Sequence, residues 1–372
     1  MIKLGEDNLK LVEKFGASKI SDLTEIPNFY TFTNGLMYSH RDFDIYFKNL
    51  IAGQQCSIVS GFNASATPHI GHISVFDTCC FFQKKYNVKV FVPISDDESY
   101  LSLKVKTQEE GLSNALKLAK AIIAFGFNTD KTKLIIDQLY TNIYNQAIKF
   151  SKAVTYSEIK AIYGHSPAQN IGLHFYPAIQ SAHVILPEVM GIPNVLVPIG
   201  PDEDAHLRVC RDIAVKFSYV KPAVLHSVFL PGLDGEKMSK SKGNAIFMLD
   251  DLKTIKKKIM SAYSGGRMNV EEHRRIGGNP DVDIAYIYLK NYFLKPVESR
   301  VLYDDYKKGR LLSGELKNML LEHVTKRIEE FQNAYYKVTI KDLEDVVMTN
   351  EDTDLATITD KINLFSEEKR MM

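Results

Sequence analysis

The sequence contains no tryptophan and only four cysteines, and its 46 Lys and Arg almost cancel its 45 Asp and Glu. Each shortage removes a class of protein. Cys56, Cys79, Cys80 and Cys210 show neither C-x-x-C spacing nor a His set at zinc-finger intervals, so they read as reduced core thiols. The ten His form no H-E-x-x-H or comparable cluster, and no bound metal is expected. A net charge of +1 excludes a globally basic nucleic-acid coat, while leaving room for a local basic face. No apolar run approaches the ~18 residues of a membrane span. The start Met1-Ile2-Lys3-Leu4-Gly5-Glu6-Asp7 lacks the basic and apolar regions of a signal peptide. A cytoplasmic protein without membrane contact is the expectation.

What remains is a chain of 372 residues, 45% hydrophobic, long enough for two or three domains around a sizeable core. Five short β-rich runs lie at 57–61, 89–94, 133–136, 194–199 and 223–227, with little polar alternation, as in strands buried on both faces. Helical stretches at about 70–86, 107–126, 172–188 and 203–217 separate them, which predicts an α/β fold with a parallel sheet. Gly126 is placed to stop the second helix, ahead of a turn at Asn128-Thr129-Asp130. Beyond residue 247 strand runs nearly vanish and Leu, Ile and Tyr recur at helical spacing through 281–294 and 313–337, predicting an all-α domain. The expected division is an appendage at 1–50, an α/β domain at 51–246 with an insertion at about 100–190, a helical domain at 247–341, and an acidic, partly disordered segment at 342–372.

Two segments carry chemistry. Thr67-Pro68-His69-Ile70-Gly71-His72 follows the first strand and opens a helix, setting two imidazoles one turn apart near free N–H groups that favour a phosphate. Gly71 between them lets a ring or phosphate approach the backbone. Glu236-Lys237-Met238-Ser239-Lys240-Ser241-Lys242-Gly243-Asn244 follows the fifth strand, and its ammonium groups can surround a polyphosphate. Taken singly, the first is equally consistent with two surface histidines and the second with a solvated basic loop.

Together and in this order, the pair resembles the HIGH and KMSKS motifs of the class I aminoacyl-tRNA synthetases. Further segments, among them Lys14-Phe15-Gly16-Ala17-Ser18-Lys19, Ser95-Asp96-Asp97-Glu98, Phe175-Tyr176-Pro177-Ala178-Ile179-Gln180, Ser264-Gly265-Gly266-Arg267 and Gly277-Gly278-Asn279-Pro280-Asp281, are similar to the archaeal and eukaryotic tryptophanyl-tRNA synthetases. The resemblance implies a Rossmann-type catalytic domain followed by a helical anticodon-binding domain. It implies ATP as a substrate with Mg²⁺ carried on its phosphates, tRNA and tryptophan as partners, and a homodimer. His69, Gly71 and His72 would face the ATP α-phosphate and adenine, and Lys237, Met238, Ser239 and Lys240 the leaving pyrophosphate. Asp202 would lie beside the nucleotide and Glu203 beside the amino acid.

By the same resemblance Glu98 and Gln180 would hold the ammonium and carboxylate ends of the amino acid, with Val59 and Pro93 at the indole pocket. At those two positions the family carries Tyr and Gln, and Glu203 stands where it carries Gln. Two alternatives to a tryptophan ligase therefore stay open: a homologue with altered or lost amino-acid specificity, possibly for tyrosine, and a non-catalytic tRNA- or nucleotide-binding protein on the same scaffold. Charge is also unevenly spread. Residues 237–275 carry ten basic and four acidic side chains, and residues 342–372 carry three basic and nine acidic.

Overall fold

The computed structural model describes residues 11–65, 67–238, 242–351 and 353–365. Ser239, Lys240 and Ser241 of the lysine-rich loop lie outside the described residues. Among the described residues nine strands form one sheet: β1 (Ser18–Lys19), β2 (Met37–Arg41), β3 (Cys56–Val59), β4 (Phe62–Asn63), β5 (Lys89–Ser95), β6 (Thr132–Ile136), β7 (Asn194–Ile199), β8 (Ala223–Ser227) and β9 (Val347–Met348). Their spatial order is β1-β2-β8-β7-β3-β5-β6-β9, with β4 pairing the end of β5. The five strands legible in the sequence, β3, β5, β6, β7 and β8, form the parallel centre, where Ile58 stands opposite Val90 on one side and Leu196 on the other. Numbered among themselves they run 3-2-1-4-5 across the sheet, the doubly wound arrangement.

Alternation along these strands builds two cores. Val90, Val92 and Ile94 join Leu134 and Ile136 on one face, while Phe91 and Ile135 join Val59, Val195 and Val197 on the other. The first face is covered by helices Ile73–Tyr86 and Gln108–Ala124, and the second by Ile143–Ser151, Ile171–Val189 and Asp204–Lys216. Gly126, at φ +97°, lies just past the end of the Gln108–Ala124 helix, and the Asn128 side chain accepts the Asp130 N–H at 2.9 Å in the turn that follows.

After residue 250 the chain is helical, with Leu252–Met260, Val270–Ile276, Ile284–Tyr288, Pro296–Lys307 and Ser313–Tyr335. The longest helix buries Leu316, Leu320, Val324, Ile328, Phe331 and Tyr335, one stripe at steps of three and four. Each such side chain contributes about 1.5–3 kcal/mol, so this stripe, rather than helix propensity, holds the region against the first face of the sheet.

Both chain ends contribute more order than their patterning suggests. The stretch read as an appendage supplies β1 and β2, antiparallel additions at the β8 edge. The acidic stretch forms helices Ile340–Val346 and Leu355–Lys361, and places β9 on the opposite edge beside β6. A few apolar anchors suffice there because Leu343, Val346 and Leu355 bury against a core that already exists.

Candidate active site

β3 and β7 are neighbours at the centre of the sheet, yet the helices that follow them cover opposite faces. The crevice beyond their carboxyl ends is the place where a doubly wound sheet binds ligands. Both chemistry-bearing turns open there.

After β3 the chain reaches His69, which caps a 3₁₀ turn (Ile70–His72) leading into the Ile73–Tyr86 helix. Nδ1 of His69 accepts the Gly71 N–H at 3.1 Å, and Nδ1 of His72 accepts the His69 N–H at 3.1 Å. The two ring centroids are 4.0 Å apart. Burial pulls His69 down to about 4 and His72 to about 3, so both rings are neutral near pH 7. With Nδ1 engaged as acceptor, each ring carries its proton on Nε2 and presents a donor without a charge. A Cβ on Gly71 would lie 2.9 Å from the His69 ring and 3.0 Å from Met238 Sδ. Any larger residue there would push the His69 ring or Met238 aside.

After β7 a second 3₁₀ turn (Pro201–Glu203) leads into the Asp204–Lys216 helix. Its acidic residues divide. Asp202 is exposed and receives the Lys237 ammonium at 3.1 Å, while Lys237 also lies 4.6 Å from the centre of the Phe229 ring. Glu203 is exposed on the same turn. Asp204 points inward, where Arg41 reaches both its oxygens at 2.7 and 2.9 Å and His226 Nε2 lies 3.0 Å away. Burial alone would raise the Asp204 carboxyl, but the hydrogen bonds from His226 and Arg41 outweigh it and hold it well below the usual carboxylate range.

The two motifs meet through the backbone. Ile70 N–H donates to the Ile246 carbonyl at 2.9 Å, and Met248 N–H donates to the Pro68 carbonyl at 3.0 Å. Between these bonds His69 and Phe247 pair as an antiparallel bridge. The Asn244 side chain donates to the Lys237 carbonyl at 3.1 Å, clasping the neck of the lysine-rich loop.

Besides Glu203, the four other residues assigned to the amino acid fall on neighbouring elements. Glu98 lies in the first turn of the helix Asp96–Leu101 after β5 and is paired with Lys104 at 3.0 Å. Gln180 Oε1 accepts the Tyr163 hydroxyl at 3.2 Å, and Tyr163 stacks on His206 at 4.1 Å. Val59 is buried at the end of β3 in the cluster that contains Ile179, and Pro93 is buried in β5 opposite Ile135.

Beneath them lies a polar network that the sequence does not reveal, because each hydrogen-bonded pair in it joins residues more than forty positions apart. Asp97 accepts the Tyr144 hydroxyl at 3.3 Å, Asp137 lies 2.6 Å from His183 Nε2, and Tyr176 and Ser95 hydroxyls are 2.8 Å apart. Oxygens of Asp96, Asp97 and Asp137 lie within 4.8 Å of one another. Burial raises all three carboxyls, Asp96 to about 6, and lowers His183 to about 4.

The doubly wound sheet, the paired neutral imidazoles at a helix start and the lysine facing the β7 turn define a nucleotide-binding α/β protein. The chain belongs to the class I tRNA synthetases of the tryptophan and tyrosine group, whose family model matches residues 52–329. It is 38% identical over 336 residues to the tryptophan–tRNA ligase of Sulfurisphaera tokodaii, covering 86% of this chain and 87% of that protein. It is 35% identical over 357 residues to the cytoplasmic tryptophan–tRNA ligase of Saccharomyces cerevisiae, covering 90% and 82%. The crystal structure of tryptophanyl-tRNA synthetase from Aeropyrum pernix superposes with a TM-score of 0.84 at 28% identity, over 92% of this chain and 96% of that one.

Proposed function

We propose that the crevice attaches tryptophan to tRNA at the expense of ATP. The reading is carried by the match to tryptophan–tRNA ligases along most of both chains, and it assigns a role to each motif. A carboxylate oxygen of tryptophan attacks the α-phosphorus of ATP, the bond to the bridging oxygen breaks, and pyrophosphate leaves with its electron pair. The 2′-hydroxyl of the terminal tRNA adenosine then attacks the acyl carbon and AMP departs.

Little covalent work falls to the protein, so catalysis is positioning and stabilisation of developing charge. His69 and His72 donate from Nε2 to the α-phosphate without adding a cation, and Lys237 and Lys240 take up charge on pyrophosphate. Asp202 holds Lys237 in the crevice until the phosphates arrive, Met238 and Ser239 line the same loop, and Gly71 admits the nucleotide. Glu98 and Gln180 orient the amino acid beside Glu203. Mg²⁺ travels with the ATP phosphates and keeps water ligands.

The helical region from 247 to 341 reads the anticodon, with Arg267, Arg274 and Arg275 as the cationic planes that unstacked bases favour. Tyr286 and Tyr288 are core residues. The segment 100–190 forms the interface of a homodimer, which accounts for Leu103, Ile148 and Ile171 standing 86, 62 and 83% exposed. The protein works in the cytoplasm. Among the described residues no helix is long and apolar enough to cross a membrane.

ATP–pyrophosphate exchange measured with each of the twenty amino acids tests this function. Exchange dependent on tryptophan alone is the expected result. A second reading draws on Val59 and Pro93, whose side chains offer no acceptor to an indole N–H: exchange driven by tyrosine or another amino acid would replace the first reading with it. Exchange with none would leave a tRNA- or nucleotide-binding protein.

A further inference from the structure

A cavity of about 720 Å³ lies between the N-terminal stretch and the helical region, and none of its lining residues belongs to the crevice. That volume is within the range of small-molecule sites, roughly 300–1,000 Å³. Its walls are aromatic and cationic. β2 contributes Tyr38, the helical region contributes Tyr286 and Tyr303, and Lys19, Lys290 and Arg300 also line it. The one carboxylate on the wall, Asp281, is engaged by the Tyr303 hydroxyl at 3.1 Å. Among the described residues none of the three cations has a carboxylate within salt-bridge distance.

Two further observations mark this cavity as a built site. Lys290 sits on a single π-helical turn, Leu289–Phe293, a strained geometry that recurs at functional positions. The turn is fixed from across the cavity, since the Asn34 side chain donates to the carbonyls of Lys290 at 3.0 Å and Leu294 at 3.1 Å. Burial lowers the Lys290 ammonium, an effect that nearby Asp281 offsets in part. Tyr38, which also lines the cavity, has a buried hydroxyl without a hydrogen-bond partner.

We propose that this cavity is a second, non-catalytic binding site for a small aromatic anion, a planar ring bearing a phosphate, carboxylate or sulfonate. Tyrosine faces take the ring, and Lys290 and Arg300 take the charge. The site lies apart from the ATP and amino-acid crevice and does not depend on the function assigned to it.

The test titrates the full chain with 8-anilinonaphthalene-1-sulfonate, alongside uncharged N-phenyl-1-naphthylamine. In the Lys290→Met, Arg300→Met double variant the sulfonate is expected to bind at least about tenfold more weakly, because charge-assisted hydrogen bonds are lost. The neutral probe is expected to bind both proteins alike, and saturating ATP with tryptophan is expected to leave the sulfonate bound. Retained ATP–pyrophosphate exchange in the variant verifies that it is folded. Equal sulfonate affinity in the two proteins overturns the proposal. Displacement by ATP with tryptophan would move the probe to the crevice, and displacement by tRNA would give the cavity to nucleic acid; either overturns it too.

Discussion

The Lys237 ammonium lies 3.1 Å from the Asp202 carboxylate, and both side chains are more than half exposed. An exposed pair of this kind adds about 0–1 kcal/mol to stability, so its value is positional. Lys237→Ala is expected to lower ATP–pyrophosphate exchange by about a hundredfold or more, as for loss of a transition-state charge contact, and to leave the thermal midpoint unchanged. Exchange kinetics and calorimetry on one preparation check this. A large fall in the midpoint would give Lys237 a structural role instead.

The paired imidazoles make an acid-sensitive element. Their pKa values fall from about 6.5 in the unfolded chain to about 4 and about 3 in the folded one. Between those limits the unfolded state binds more protons, so stability is full above pH 6.5 and declines as pH falls. From pH 7 to pH 5 each ring accounts for about 1–2 kcal/mol of the loss. Urea denaturation at the two pH values is expected to show a smaller loss for His72→Asn than for the parent.

Gly71→Ala tests the close approach in the first motif. The added methyl would stand 2.9 Å from the His69 ring and 3.0 Å from Met238 Sδ, and the ring is held by its bond to the Gly71 N–H. The ring must give way, and exchange activity is expected to fall at least about tenfold, with retained far-ultraviolet circular dichroism. A near-normal rate would mean that the imidazole position does not matter to chemistry.

Asp204 predicts a stability effect without direct contact with substrate. Removing one partner of a buried charge pair costs about 3–5 kcal/mol, and Arg41 is the main cationic partner of this carboxylate. Arg41→Ala is expected to lose stability on that scale. Because the Asp204 pKa lies below its unfolded value, the contribution is present above about pH 4 and is lost as pH falls further. The parent and variant stability curves should therefore converge in acid.

Legibility followed locality. The five central strands were readable because each is buried on both faces and rich in β-branched residues, and the helix after His72 because it has its own period. β2 was not. Its Ser39, His40 and Arg41 are polar and break any apolar run, yet Ser39 is buried against His226 at 2.9 Å and Arg41 is engaged by Asp204. β1 and β9 have two residues each, too few to carry a pattern. At the site, the motif residues were visible through their spacing. The Asp97, Tyr144, Asp137 and His183 network joins four segments whose proximity only the sheet order creates.

The Asn244 clasp on the Lys237 carbonyl closes the lysine-rich segment into a ring, and the ladder at 246–248 bolts the base of that ring to the imidazole turn. The anchored residues Lys237 and Asn244 thus hold one end of the segment close to the imidazole turn. Asn244→Ala removes that bond and is expected to slow pyrophosphate capture more than it weakens the initial grip on ATP, which rapid-quench kinetics set against equilibrium ATP binding would show.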